Sequence, residues 1–363
     1  MASGPAPPED PRRRAGGTVH ELWAGRGAAS TALLPLSWAF RGIVGLRRRM
    51  FRRGLLASHS LPVPVIVVGN LLVGGAGKTP TVIAVVALLR RCGRTPGIVS
   101  RGYGRDESAV REVRSDSEAR RVGDEPLLLA KRTGVPVFVG RDRVAAGHAL
   151  LQLHPMVDVV VSDDGLQHLA LGRDVEVLVF DDRGTGNDRL LPAGPLREPL
   201  PQRLQANQLV LYSAGATSTP LPGFLGRRSL AGVAALDAWW RGEPPSPDSL
   251  ERLRGKTVVA AAGLARPKGF FAMLRERGLE VVELPLPDHH DFRALPWPLT
   301  TGDVVVSEKD AVKIDPAQRI GSRIWVATLD FDPEPAFDEA LLALLPPPVA
   351  PPAPAEPHGN SPA

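Results

Sequence analysis

The sequence predicts an α/β fold: a P-loop NTPase-like parallel-sheet domain, a second, smaller α/β domain, and an N-terminal membrane-associated helix ahead of both. Three observations predict it. Strand, glycine-rich turn and helix follow one another between Val63 and Arg90. Apolar β-branched runs then alternate with helical stretches, the pattern of a parallel sheet covered on both faces. At the N-terminal side, an apolar segment containing Trp38 abuts an arginine cluster.

The first element is the apolar run Pro64 to Val68, which has the composition of a buried strand. Gly69-Asn70 is a short connector to Gly74-Gly75-Ala76-Gly77-Lys78-Thr79, and Val82 to Leu89 is long enough for a helix. Glycines in this setting let successive N–H groups turn toward one anion, and the helix N-terminus adds partial positive charge. Lys78 is placed to reach the β- and γ-phosphates, and Thr79 to put its hydroxyl on Mg²⁺. The usual pattern wants a glycine where Leu72 stands, so the match is to the tail GGxGKT. A glycine turn that happens to carry a lysine is the bland alternative.

The flanking segments follow from composition. With 363 residues the chain can form two domains. Residues 1–60 hold ten arginines against Glu9, Asp10 and Glu21, a balance of +7, which leaves −2 for the rest of a +5 chain. The basic character belongs to that segment and gives no ground for a nucleic-acid partner of the body. Residues 1–17 are expected to be disordered. Ala28 to Phe40 is apolar but too short to span a bilayer, and its charge follows the apolar part, unlike a cleaved signal. With Trp23, Trp38, Phe40 and the cluster Arg47 to Arg53, it suits an interfacial helix on an anionic membrane surface. An amphipathic helix packed on the protein's own core is the alternative. The single cysteine, Cys92, excludes an internal disulfide and fits a reducing compartment.

The P-loop domain is expected over 61–240, with strands at Gly97–Ser100, Val135–Val139, Val157–Ser162, Val175–Phe180 and Gln208–Tyr212. Between Ser213 and Leu250 the composition shifts toward Gly, Pro and Ser, which reads as a linker or domain crossing. A smaller domain over 251–345 follows, with strands at Thr257–Ala261, Glu280–Leu284, Val304–Val306 and Arg323–Leu329 and a helix at Lys268–Arg277. Residues 346–363 form a Pro/Ala tail that cannot build a core.

Several constellations carry chemistry. Val157 to Ser162 is an apolar strand ending in Asp163 and Asp164, carboxylates suited to hold Mg²⁺ beside a P-loop, or merely to cap a helix. Gln167-His168 is ambiguous alone. Asp124 in Gly123-Asp124-Glu125-Pro126 reads first as a helix N-cap. Arg141 and Arg143 are a candidate phosphate-facing pair or a solvated loop. The Pro- and Gly-rich loop Leu191 to Pro199 presents Arg197, beside Glu198, to something anionic. Asp288-His289-His290-Asp291 is dense in metal-type ligands, but acid–base or structural use suits it better. Ser307-Glu308-Lys309-Asp310 has the wrong spacing for guanine recognition.

Together, GNLLVGGAGKTP (Gly69–Pro80), VSRGYGR (Val99–Arg105), GDEP (Gly123–Pro126), SDDGLQH (Ser162–His168), LPAGPLREP (Leu191–Pro199), Asp288-His289 and SEKDAVK (Ser307–Lys313) resemble the tetraacyldisaccharide 4′-kinase (lipid A 4′-kinase) family of Gram-negative bacteria. The resemblance covers about residues 28–330 and is very specific in combination. Thr185, Asp188 and the P-loop Ala76 are small departures, the first two where the family tends to an aromatic and a glycine. The resemblance implies an ATP- and Mg²⁺-dependent kinase at the cytoplasmic face of the inner membrane, peripheral or monotopic. Its acceptor would be the 4′-hydroxyl of a tetraacylated glucosamine disaccharide 1-phosphate. By matching position, Lys78 and Thr79 would serve phosphate and Mg²⁺, and Asp163 and Asp164 the metal. Gln167, Arg143, Arg197 and Glu198 would be active-site residues, and Asp124 the base with His289 as partner, which displaces the cap reading. A P-loop partitioning ATPase, the rival from another class, typically has a lysine where Val73 stands and no use for Leu191–Pro199 or Asp288-His289. A soluble metabolite kinase would leave the N-terminal arginines unexplained.

Overall fold

The structure, a computed structural model, describes residues 22–23, 25–75, 77–298, 300–317 and 321–347. The expected disordered start (1–17), the P-loop Ala76 and most of the Pro/Ala tail lie outside these. In chain order the elements are α1 (Ala28–Ala32), α2 (Leu34–Arg52), β1 (Val65–Gly69), α3 (Lys78–Arg91), β2 (Pro96–Ser100), β3 (Arg111–Val113), α4 (Ala119–Val122), α5 (Asp124–Thr133), β4 (Val137–Val139), α6 (Arg143–Leu153), β5 (Val159–Asp163), β6 (Val175–Phe180) and β7 (Gln208–Tyr212). Then come β8 (Phe224–Ala235), α7 (Leu236–Trp240), α8 (Pro247–Glu251), β9 (Thr257–Ala262), α9 (Pro267–Glu276), β10 (Glu280–Pro285), β11 (Asp303–Ser307), α10 (Glu308–Ala311), β12 (Arg323–Pro333) and α11 (Pro335–Ala343).

The strands form one sheet in the order β10-β9-β11-β12-β8-β7-β6-β1-β5-β2-β4-β3. Strand β1 lies between β5 and β6, parallel to both, so the P-loop emerges beside the carboxyl end of β5. Val68 is in register with Asp163, and Val99 with Ser162, which gathers the ends of β1, β2 and β5. An open parallel sheet binds its ligands at that edge. Each of these strands is buried along its whole length, which is why they read as continuous apolar runs.

The crossing expected over 213–250 contains a twelve-residue strand, β8. It continues the first half by two parallel pairs with β7 and pairs antiparallel with β12 over most of its length. One strand thus belongs to both halves. The apolar core is likewise shared: Val82 and Leu89 of α3 belong to the same cluster as Trp239, Val326 and Phe337.

Helix α2 extends the apolar segment through the arginine cluster to Arg52. Pro35 falls in its first turn, where no N–H is needed. The helix has two faces. Ser37 is buried and Phe40, Val44, Arg48 and Phe51 half-buried, at spacings of three and four, while Leu36, Trp38, Ile43 and Leu46 are each more than half exposed. Among the described residues no helix is long and apolar enough to cross a membrane.

Candidate active site

The P-loop backbone is that of an anion cradle. Gly74 and Gly77 have φ of 93° and 89°, which favour glycine, and Gly77 is the N-cap of α3. Gly75 is exposed between them, while Lys78 is buried and Thr79 half-buried in the first turn. Lys78 Nζ sits 2.9 Å from Asp164 Oδ1 and donates to Asn70 Oδ1 at 3.3 Å. Asn70, read in the sequence only as connector, is fully buried and also donates to the Gly74 carbonyl at 3.2 Å. It fixes both the lysine and the loop.

The two strand-end carboxylates differ. Asp163 is buried and accepts from Ser100 Oγ at 3.0 Å, while its Oδ1 has no hydrogen-bond partner among the described residues. Burial pushes its carboxyl well above the usual range, with Glu125 and Asp164 adding to the rise against Lys78. Asp164 has the left-handed φ of 49°, and Arg143 Nη2 donates to its carbonyl at 3.3 Å. Burial acts to raise Asp164 too, but Lys78 and Arg197 outweigh it and hold the carboxyl low. Asp163 Oδ1, Asp164 and the Thr79 hydroxyl are hard oxygen donors, the set that suits Mg²⁺.

Arg143 is buried, not in a solvated loop, because its helix α6 is capped by Asp142, whose Oδ1 accepts from Val144 N at 2.9 Å. His168 Nε2 accepts the Arg143 N–H at 3.3 Å, and burial lowers the ring's pKa to about 4, so it stays neutral.

The Leu191–Pro199 loop is fastened to the P-loop connector: Arg197 N donates to the Leu71 carbonyl at 2.7 Å and Val73 N to Pro195 at 2.9 Å. That register aims Arg197 Nη1 at Asp164 Oδ1 (3.2 Å) and at Gln167 Oε1 (3.2 Å). Gln167 Nε2 donates to the Asn70 carbonyl at 3.3 Å. Glu198 is buried and forms an ion pair with Arg48 of α2. The N-terminal segment is stitched to the same loop: Ser30 Oγ donates to Ala193 at 2.6 Å, Ser37 Oγ to Leu190 at 2.8 Å and Trp23 Nε1 to Pro192 at 3.0 Å. Asp188, one of the departures, has φ of 63° and accepts from Arg26 Nη2 at 2.8 Å.

Asp124 is the first residue of α5 and Gly123 its N-cap; Asp124 Oδ1 accepts from Glu125 N at 2.9 Å, which leaves Oδ2 for another partner. Its Oδ2 lies 2.8 Å from His289 Nδ1 and 4.0 Å from Lys313 Nζ. Burial acts to raise Asp124, but the His289 bond with Lys309 and Lys313 brings it down to about 2. The same bond raises His289 against the opposing effect of burial. An ionised Asp124 makes Nδ1 the donor, which leaves Nε2 for other partners. The imidazole is further exposed than the carboxylate, and Tyr103 packs on it at a centroid distance of 5.7 Å. Its neighbours diverge: Asp288 approaches Lys309, His290 packs on Phe292, and Asp291 pairs with Arg293. Among the described residues no group of three or more His, Cys, Asp or Glu is placed to hold a metal.

SEKDAVK proves to be the bracket for this pair. Ser307 caps α10 and donates to Asp310 Oδ2 at 2.7 Å, while Gly263 N donates to the same oxygen at 3.1 Å. The fully buried Asp310 holds Lys313 at 3.1 Å, next to Asp124. Lys309 reaches Glu125 at 3.1 Å, and Arg132 of α5 pairs with Glu308. The motif was visible in the sequence, but its use depends on α5 and α10 meeting across the molecule. Arg183 was also missed as a contributor: held by Asp181, it donates to the P-loop carbonyls of Val73 (3.3 Å) and Gly75 (2.7 Å).

Comparison with known proteins places this arrangement. The family model described as tetraacyldisaccharide-1-P 4′-kinase matches residues 29–346. A tetraacyldisaccharide 4′-kinase of Leptothrix cholodnii is 54% identical over 333 residues, covering 90% of this chain and 95% of that one. One of Methylibium petroleiphilum is 54% identical over 348 residues, covering 94% and 97%. The crystal structure of Aquifex aeolicus LpxK in complex with ATP superposes with a TM-score of 0.73 at 27% identity, over 87% of this chain and 99% of that one. With a family model spanning most of its length and relatives above half identity, the chain belongs to the tetraacyldisaccharide-1-phosphate 4′-kinase family.

Proposed function

We propose that this chain transfers the γ-phosphoryl group of ATP to the 4′-hydroxyl of a tetraacylated glucosamine disaccharide 1-phosphate, giving lipid IVA in lipid A biosynthesis. The observation that carries the reading is the Asp124–His289 hydrogen bond, 2.8 Å long between residues 165 apart in sequence. It closes next to Glu125, whose charge reaches Asp163 at the P-loop edge. A simple P-loop switch has no need of an imidazole–carboxylate pair from a second α/β unit.

In the proposed reaction the acceptor oxygen forms a bond to the γ-phosphorus, the bond to the β–γ bridging oxygen breaks, and ADP leaves. The hydroxyl proton passes to the Asp124–His289 pair, with Asp124 the base and His289 its partner; such assistance is typically worth about 10²–10⁴-fold. Lys78 and Arg197, both drawn to Asp164, lie where they can turn to phosphate oxygens and offset charge that grows on transfer. Gly74, Gly75, Ala76 and Gly77 offer the cradle, and Gln167, Arg143 and Glu198 hold its rim. Thr79, Asp163 and Asp164 would hold Mg²⁺, which neutralises phosphate charge when bound. Residues 61–240 and 251–345 act as two units that supply one member of the pair each.

The acceptor is acylated, so the site must open beside a bilayer. The exposed apolar residues of α2, with Arg41, Arg49, Arg52 and Arg53, suit an anionic membrane surface. The reading therefore places the chain at the cytoplasmic face of the inner membrane, peripheral or monotopic. Incubation of pure protein with γ-labelled ATP and the tetraacyldisaccharide 1-phosphate, against a water-soluble sugar, tests it. Label is expected in the lipid alone; hydrolysis without transfer would favour a switch ATPase.

A further inference from the structure

We propose that Arg47 and Arg48 are positioning residues, which tie helix α2 to Gln167 and Glu198 so that the seating of the helix sets the geometry of Arg197, Asp164 and Lys78. The arginines of α2 fall into two kinds. Arg41, Arg49, Arg52 and Arg53 are exposed, and none forms an ion pair or side-chain hydrogen bond among the described residues. Arg47 and Arg48, the first exposed and the second half-buried, instead make contacts with the body of the protein. Arg47 Nη1 donates to the Gln167 carbonyl at 3.0 Å, with its guanidinium 5.5 Å from the Phe51 ring centroid. Arg48 pairs with Glu198, which is 3% exposed.

From Gln167 and Glu198 the route to the P-loop runs through Arg197. The Gln167 side chain accepts from Arg197 Nη1 at 3.2 Å, and Glu198 directly follows Arg197 in the chain. Arg197 meets Asp164 at 3.2 Å, and Asp164 meets Lys78 at 2.9 Å. Gln167 and Lys78 also converge on Asn70, through its carbonyl and its side chain. Arginines kept only to attract anionic lipid gain nothing from contacts with the body of the protein. A buried carboxylate beside a guanidinium costs stability if either partner is lost, and Arg48 opposes the upward push of burial on Glu198. On the opposite face the helix shows Trp38, Ile43 and Leu46 to solvent. A tilt or shift of α2 is therefore passed to the residues that face the phosphates.

This inference rests on the phosphotransferase reading, and the experiment separates the two. Arg47→Ala, Arg48→Ala, Arg48→Lys, Glu198→Gln and the Arg48→Ala/Glu198→Gln double variant are assayed in mixed micelles for kcat and for KM of ATP and lipid. Melting temperatures and flotation with phosphatidylethanolamine–phosphatidylglycerol vesicles accompany them. Arg48→Ala should lower kcat roughly 10–100-fold, the scale of a small misplacement of reacting groups. Arg47→Ala should lower it less, Arg48→Lys should recover part, and the double variant should be no worse than the poorer single. Arg49→Ala and Arg52→Ala should shift flotation and the lipid KM instead. Wild-type kcat in Arg48→Ala, or additive losses in the double variant, overturns the proposal. A wild-type protein that moves no phosphate to lipid defeats the functional reading alone. Affinity for a non-hydrolysable ATP analogue then decides, expected to be about ten-fold weaker in Arg48→Ala and overturning the proposal if equal.

Discussion

Lys78 and Asp124 show how the same kind of contact serves different ends. The lysine is buried against Asp164 and Asn70, and in the proposed reaction it would offset charge that appears only during transfer. Lys78→Ala should therefore lower kcat by several orders of magnitude while the melting temperature stays near wild type. Asp124 and His289 should behave as one unit: each alanine variant loses most of kcat, ATP-analogue binding changes little, and the double variant is hardly worse than the poorer single. Additive losses would separate them. The pair should also be visible in stability. The folded Asp124 pKa of about 2 lies below its ordinary 3.8, so the bond stabilises the fold above pH 3.8 and is lost as pH falls through about 2. Seen from the imidazole, whose pKa is raised, the same stabilisation is complete below pH 6.5 and fades as pH climbs past the raised value. Counted once, it is worth about 2 kcal/mol. Urea unfolding between pH 6 and pH 2 should show Asp124→Asn losing about that much less than wild type over the acid limb.

At the scale of elements, the N-terminal helices are both a surface and a structural part. Removing residues 1–60 should raise the lipid KM and weaken vesicle flotation, and also lower kcat, because Ser30, Ser37 and Arg48 hold the loop that carries Arg197. A truncated protein with unchanged kcat at saturating lipid would leave α2 as an anchor alone. Trp38 and the arginines let the sequence propose an anchoring role, but the contacts with Leu190 and Ala193 join segments more than 150 residues apart and leave no local pattern. The strands were legible where burial on both faces made continuous apolar runs, as in β1 and β5. Strand β8 was not: Gly226, Arg227, Arg228 and Ser229 interrupt it, and it is held by its long antiparallel pairing with β12 and not by its own composition. Asp124 read first as a cap because acids before an apolar run usually are; its partners His289 and Lys313 arrive from the other half and leave no local pattern.

Across the whole molecule, α5 and α10 are the meeting point of the halves. Arg132 of α5 pairs with Glu308, which also accepts from Trp239 Nε1 at 3.1 Å and Thr328 Oγ1 at 3.2 Å. Burial raises Glu308 even with the guanidinium beside it. Arg132→Ala should leave that carboxyl buried without its cation and cost about 3 kcal/mol. Calorimetry should show a lower melting temperature, with kcat recovering as the assay is cooled. An unchanged melting temperature would mean that the shared sheet and core, not this pair, hold the halves together.

The two-faced helix also bears on how far a substrate would have to travel. A helix with its side chains is only about 10–12 Å across. Leu46 on the outward face and Arg47 on Gln167 are adjacent in sequence, so the residue that carries the path to Arg197 is separated from the surface that receives Trp38, Ile43 and Leu46 by little more than the helix itself. A glucosamine head group can rise through that distance while its acyl chains stay behind. Lifting those chains into water would cost about 0.8 kcal/mol for every methylene exposed. In the proposed arrangement the lipid is phosphorylated without leaving the membrane, and diffusion in the plane, not extraction from it, brings the acceptor to the site.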